Sequence, residues 1–289
     1  MIERLFEPAW AGGWAWMRRC WALAALACVL PRFGSVEDAY AASDMIFSRG
    51  PWFLADHVVL GPAAVYGLLA GCALCLVAVA RGGRLFVPCL LLFLLMNWTV
   101  LSAEALSIKG SDRLLTQTGL VLLFSPAREK DLRNAWRSET ARWFLLVVYM
   151  ALYGSTGWLK LLKEPAWWSG KVLANHLVHP WFGSRPLGVW VSAQPWLTIP
   201  MSWITVLAEA LFPVLVLFRR TNPWILALLA GMHLGILLLM DLWRFSLVSV
   251  AGYPVLLHPG IAREIQLRWQ AWRQSRRGSE DRPAPESAG

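Results

Sequence analysis

Five stretches of this chain are too long and too apolar to be the core of a water-soluble protein: residues 58–80, 85–99, 143–162, 197–218 and 223–240. Runs near 20 residues match the roughly 30 Å hydrocarbon layer when helical. Lipid offers the backbone no hydrogen-bond partner, so such runs cross it as helices. The expected fold is therefore all-α, a polytopic transmembrane helix bundle. Only 16% of the 289 residues are charged, against about 25% in an ordinary soluble domain.

Weaker apolar segments raise the expected number of spans to about eight: 12–31, 58–80, 85–105, 111–126, 143–162, 197–218, 223–240 and 241–258. The net charge of +9 does not indicate nucleic acid, because the basic residues fall in the short segments between spans. They alternate, with 18 Lys and Arg on one set of segments and 9 on the other. The richer set faces the cytoplasm, which predicts both termini inside and a multi-pass protein of the cell inner (plasma) membrane. Two spans strain this scheme. The first must carry Arg18 and Arg19 with it, where they snorkel or find partners in the bundle. The fourth is short and contains Thr116, Gln117 and Thr118. A cleaved signal peptide with Ala39-Tyr40-Ala41 as its site is disfavoured, because that site lies too far beyond the apolar core.

Three regions follow: 1–258 as the membrane domain, 259–278 as an amphipathic cytoplasmic tail, and 279–289 as disordered. The tail sets Ile265, Leu267, Trp269 and Trp272 among arginines, the pattern of an interfacial helix. The 19 tryptophans cluster near span ends, as an interfacial belt would. Five cysteines all lie in or near apolar runs. Cys72 and Cys75 form a C-x-x-C within a span, where buried thiols behave as small apolar residues; a redox pair is the alternative.

Ionisable groups inside apolar runs are expensive and mark functional candidates. Asn97 and Glu104 are seven residues apart. Tyr149, Tyr153, Thr156 and Lys160 follow steps of 4, 3 and 4, a single helical stripe. Ser202, Thr205 and Glu209 form another, and His233 is followed by Asp241 eight residues on. These stripes are expected to face one another and line a polar interior opening outward, with Glu104, Lys160 and Asp241 near the outer surface and Glu209 and His233 deeper. Each has a plainer reading: Lys160 snorkels, Glu209 holds the bundle through an arginine, His233 is a satisfied core residue. A metal site is not expected, since His176 and His179 have no H-E-x-x-H or thiolate set beside them.

The segments STGWLKLLKEPAWWSGKVL, ITVLAEALFPVLVLF and GMHLGILLLMDLWRFSLVSVAGY, in that order, resemble the HTTM (horizontally transferred transmembrane) domain. This is the membrane domain of the vitamin K-dependent gamma-carboxylase-like proteins. The preceding GSDRLLTQTGLVLLFSPA is similar to the family's segment before its basic loop. The resemblance spans roughly 12–258, and among short bacterial members it points toward the sporulation-delaying B family. It implies Lys160 as the base that deprotonates a vitamin K-like quinol, and hence a carboxylase-like lyase. Trp167, Trp168 and Gly170 would belong to the loop covering the site. Glu209, His233 and Phe245-Ser246 match family positions in the later helices. A secreted peptide would be the second substrate and membrane lipid the surroundings. Two departures stand against full carboxylation: no histidine lies around 109–112, and no large extramembrane region follows the last span. The alternatives are a non-catalytic peptide maturation or export factor and a small-solute transporter; the chain shows no inverted repeat for the latter.

Overall fold

The computed structural model describes residues 11–37, 60–103, 110–126 and 135–280. Among them every regular element is a helix. In chain order these are α1 (Ala11–Val29), α2 (Pro62–Arg81), α3 (Phe86–Ala103), α4 (Gly110–Leu123), α5 (Ala135–Lys163), α6 (Lys171–Leu177), α7 (Pro186–Ser192), α8 (Pro195–Leu215), α9 (Asn222–Leu239), α10 (Trp243–Ala251), α11 (Tyr253–Leu256) and α12 (Pro259–Glu280). Short 3-10 turns cover Leu30–Ser35 and Pro165–Trp167.

Proline marks the starts of α2, α7, α8 and α9. There a missing N–H costs nothing and the fixed φ suits a first helical turn. At the end of α2, Gly82 takes a φ of 73°, and its N–H caps the Ala78 and Val79 carbonyls.

Four helices are long and apolar enough to cross a membrane: Pro62–Arg81, Ser138–Lys163, Pro195–Leu215 and Asn222–Leu239. They show leucines such as Leu74, Leu159, Leu211, Leu234 and Leu238 on the outside of the bundle. The expected eight spans are therefore reduced on this criterion. Phe86–Leu101 is a shorter apolar helix, and α4 has 14 residues, about 21 Å of rise. The expected last span is a helix that stops at Leu256 and bends by 82° into α12, making at most a fifth, broken span.

The first helix is an internal strut. Trp14, Met17 and Trp21 are fully buried, and α1 packs against α2, α4, α10 and α11. Three polar side chains on it reach partners in other segments. Trp14 Nε1 donates to Ser138 Oγ at 2.8 Å, Trp21 Nε1 to Thr118 Oγ1 at 2.9 Å, and Arg18 Nη1 to the Pro126 carbonyl at 2.8 Å. Thr118, polar in an apolar segment, is thus an anchor for a tryptophan. Cys72 is buried on α2 in this core, with Cys75 one turn on.

Candidate functional site

Two glycines set the geometry of the site. A Cβ on Gly157 of α5 would lie 2.2 Å from the Ala210 nitrogen of α8, and one on Gly154 would lie 2.8 Å from Pro213 Cγ. With no side chain there, the two backbones touch. The contact sets the register in which Lys160 Nζ donates to Glu209 Oε2 at 2.6 Å. The lysine side chain is 20% exposed and the glutamate 8%. Sequence position alone puts Lys160 near the outer surface and Glu209 deeper, but the pair lies at one depth. The reason is that α8 begins 14 residues before Glu209, about 21 Å of rise, while α5 ends three residues after Lys160. The segment 164–194 closes around the protruding half of α8.

That segment is pinned at several points. Ser202 Oγ donates to the Trp167 carbonyl at 2.6 Å, and Trp203 Nε1 to the Trp168 carbonyl at 2.9 Å. Trp168 also packs edge-on against Trp203. Gly170 has a φ of 72°, and a Cβ there would lie 2.8 Å from the Ile199 nitrogen. Both the left-handed conformation and the close approach call for glycine. At the other end, Arg185 reaches the Leu237 carbonyl and Asp241, and the Asp241 N–H donates to the Phe182 carbonyl. Leu177, Val191, Leu239 and Met240 form a small apolar core between this cap and α9.

Beneath the cap, α5, α8 and α9, with residues of α6 and α10, line a half-open cavity of about 520 Å³, within the range of small-molecule sites. Its walls are mostly apolar. The polar side chains on them are Tyr153, Thr156, Lys160, Trp167, His176, Thr205 and Glu209. Lys160 Nζ lies 4.7 Å from the Trp167 ring centroid, a cation–π distance. The ring is itself fixed by Trp167 Nε1 donating to Glu164 Oε2 at 2.6 Å. His176 Nδ1 lies 2.7 Å from the Val172 carbonyl. A carbonyl only accepts, so Nδ1 carries a proton and donates it there.

A second polar group borders the same cavity. Tyr153 Oη lies 2.7 Å from His233 Nε2 and 2.7 Å from Tyr253 Oη. Tyr149, one turn before Tyr153, turns away and donates to the Ser249 carbonyl at 2.7 Å, with Gly252 leaving room for its ring.

The candidates thus divide. The structure brings together Tyr153, Thr156, Lys160, Trp167 and Glu209 on the cavity wall, with His233 directly behind Tyr153. Asp241 sits at the outer rim, half-paired with Arg185 at 3.3 Å, and Trp168 and Gly170 act as cap anchors. Asn97 belongs elsewhere: its Oδ1 accepts from Arg32 Nη1 at 3.0 Å, and Arg32 Nη2 also bonds Asp112 Oδ1 at 2.9 Å. Glu104 lies outside the described residues. Nothing in the sequence pattern marks Tyr253 or the Arg32–Asp112 pair, and His176 stands out there only beside His179. Among the described residues no group of three His, Cys, Asp or Glu side chains is placed to hold a metal ion.

No family model, curated protein or solved structure matches this chain.

Proposed function

We propose that this is a membrane-embedded enzyme of the gamma-carboxylase-like class, in which Lys160 and Glu209 remove a proton from a ring hydroxyl of a lipid-soluble, quinol-like molecule held in the cavity. The observation that carries this reading is the Lys160–Glu209 pair set into a mostly apolar wall beneath the cap. An ammonium has no lone pair, so Lys160 acts as a base only after its own proton leaves. Glu209 Oε2, at 2.6 Å, is the acceptor along the shortest path. The pair is therefore one proton-accepting unit: Nζ passes a proton to the carboxylate and takes one from the bound hydroxyl. The Trp167 ring against Nζ keeps the lysine directed into the cavity and excludes water from one side.

The resemblance to the HTTM domain supports the same assignment of Lys160, with a secreted peptide as the second substrate. Both termini would face the cytoplasm, and about eight segments would count as spans if α1, α3, α4 and the bent α10–α11 pair also cross. The test is quinol-dependent oxygen uptake by the protein in nanodiscs supplied with reduced menaquinone. The expected result is uptake that falls by about 10²-fold or more in Lys160→Ala, the usual range for lost general-base catalysis. Wild-type protein that neither binds the quinol nor consumes oxygen with it overturns the reading. A saturated Lys–Glu pair is also what a purely bundle-holding contact looks like. That favours, as the second reading, a non-catalytic factor in peptide maturation, for which Lys160→Met with Glu209→Leu would retain function.

A further inference from the structure

The Tyr253–Tyr153–His233 chain has no part in the scheme above, yet its middle member lines the cavity. Tyr153 and Lys160 are on the same face of α5, seven residues and about 10 Å of rise apart. Tyr153 Oη is held from two sides at 2.7 Å, by a ring nitrogen and by a second phenol. Its ring also packs edge-on against Phe212. His233 is 1% exposed, and among the described residues its other ring nitrogen, Nδ1, has no hydrogen-bond partner. A histidine needed only for packing would be replaced at lower cost by an apolar residue, since a buried polar atom left without a partner is destabilising. Its one polar contact instead leads to the cavity wall.

We propose that Tyr153 is a second proton-transfer group of this cavity, relaying a proton from a bound hydroxyl to His233 Nε2. This rests on the reading that the cavity holds a molecule with an ionisable hydroxyl. The step balances within the chain. The O–H bond of the occupant breaks and its proton forms a new bond to Tyr153 Oη. The proton that Tyr153 carried moves to Nε2, so the neutral imidazole becomes imidazolium and the occupant becomes the anion. Tyr253 donates to Tyr153 Oη throughout and orients it. The reverse transfer resets the chain. Tyr153 is the catalytic residue here, and His233 and Tyr253 act through it.

The test uses a para-nitrophenol bearing an alkyl chain, whose anion is yellow and whose neutral form is not, bound to the full-length protein in nanodiscs below the probe's own pKa. The expected result is that wild type holds the yellow anion, and that Tyr153→Phe and His233→Gln each lower its ionisation constant about tenfold, one unit of apparent pKa. Glutamine keeps an acceptor for the Tyr153 O–H but takes up no proton, so a merely structural role predicts no change in that variant. An unchanged anion fraction in either variant overturns the relay. Lys160→Met separates the two readings. Loss of the anion there, with Tyr153→Phe and His233→Gln unaffected, overturns the relay and leaves Lys160 as the base. Retention of the anion there, with loss in the other two, supports the relay and removes Lys160 from the role. A probe that wild type does not bind overturns both.

Discussion

Removing Lys160 alone leaves a buried carboxylate without its partner, and removing Glu209 alone leaves an ammonium facing an apolar wall. Breaking a buried ion pair from one side costs about 3–5 kcal/mol, whereas replacing both partners by apolar residues is close to neutral. We therefore expect Lys160→Ala and Glu209→Ala each to lower the unfolding temperature in detergent clearly, and Lys160→Met combined with Glu209→Leu to restore most of the loss. A double variant no more stable than the singles would mean that the pair does not share one environment. The Arg32–Asp112 pair, similarly buried, gives the comparison without the cavity: Arg32→Met should destabilise by a like amount and leave cavity binding unchanged. At this scale the sequence was readable in one respect. The stripe from Tyr149 to Lys160 announces itself by its helical period. Its partner does not, because a period names a face and not the helix opposite. Asn97 shows the difference: it is as polar and as deep in its run as Glu209, yet it faces Arg32, which in the sequence is only another charge between spans.

The helices α5 and α9 use glycine for opposite purposes. On α5, Gly154 and Gly157 let α8 approach until backbones touch. On α9, Gly231 and Gly235 lie on the cavity wall, and a Cβ on either would meet nothing within 4 Å. Two consequences differ in sign. Gly157→Ala forces the Ala210 backbone away, shifts Glu209 from Lys160 and should destabilise the protein by more than about 2 kcal/mol, within the usual cost of overpacking. Gly231→Ala should stabilise by up to about 1 kcal/mol, because a mid-helix glycine is worth that much less than alanine. It should at the same time weaken ligand binding by narrowing the cavity. Thermal unfolding with and without the alkyl nitrophenol separates the two; a Gly231→Ala protein that is both less stable and equally good at binding would contradict the assignment. All four glycines fall within the expected spans 143–162 and 223–240, but the sequence does not sort them, since the sorting depends on what lies opposite. Tyr253 escaped notice for a related reason. It follows Gly252 at the break between α10 and α11, where no continued period points to a face.

The bundle is polar in different ways at its two ends. One end carries the turn between α8 and α9 with Arg219 and Arg220, and the start of α12, joined by the Arg219–Glu264 ion pair and by the His258 N–H donating to Asn222 Oδ1 at 2.8 Å. The other carries the cap over 164–194, with Trp181 exposed on it and Trp196 exposed at the start of α8. In the orientation proposed from the charge bias the first end would face the cytoplasm, and α12, bent 82° from the preceding helix with Ile265, Leu267 and Trp272 exposed, would lie along that face. If so, a thiol at Trp181→Cys should react with an impermeant maleimide added to intact cells, and one at Arg220→Cys should react only after the cells are opened. The test is best run with the five native cysteines replaced. Reversed labelling would place the cap inside. It would also turn the Lys160 cavity toward the cytoplasm, where a secreted peptide could not be its second substrate after export. Equal labelling of both positions from outside would remove α8 and α9 from the membrane and with them the argument that the cavity takes a lipid-soluble molecule.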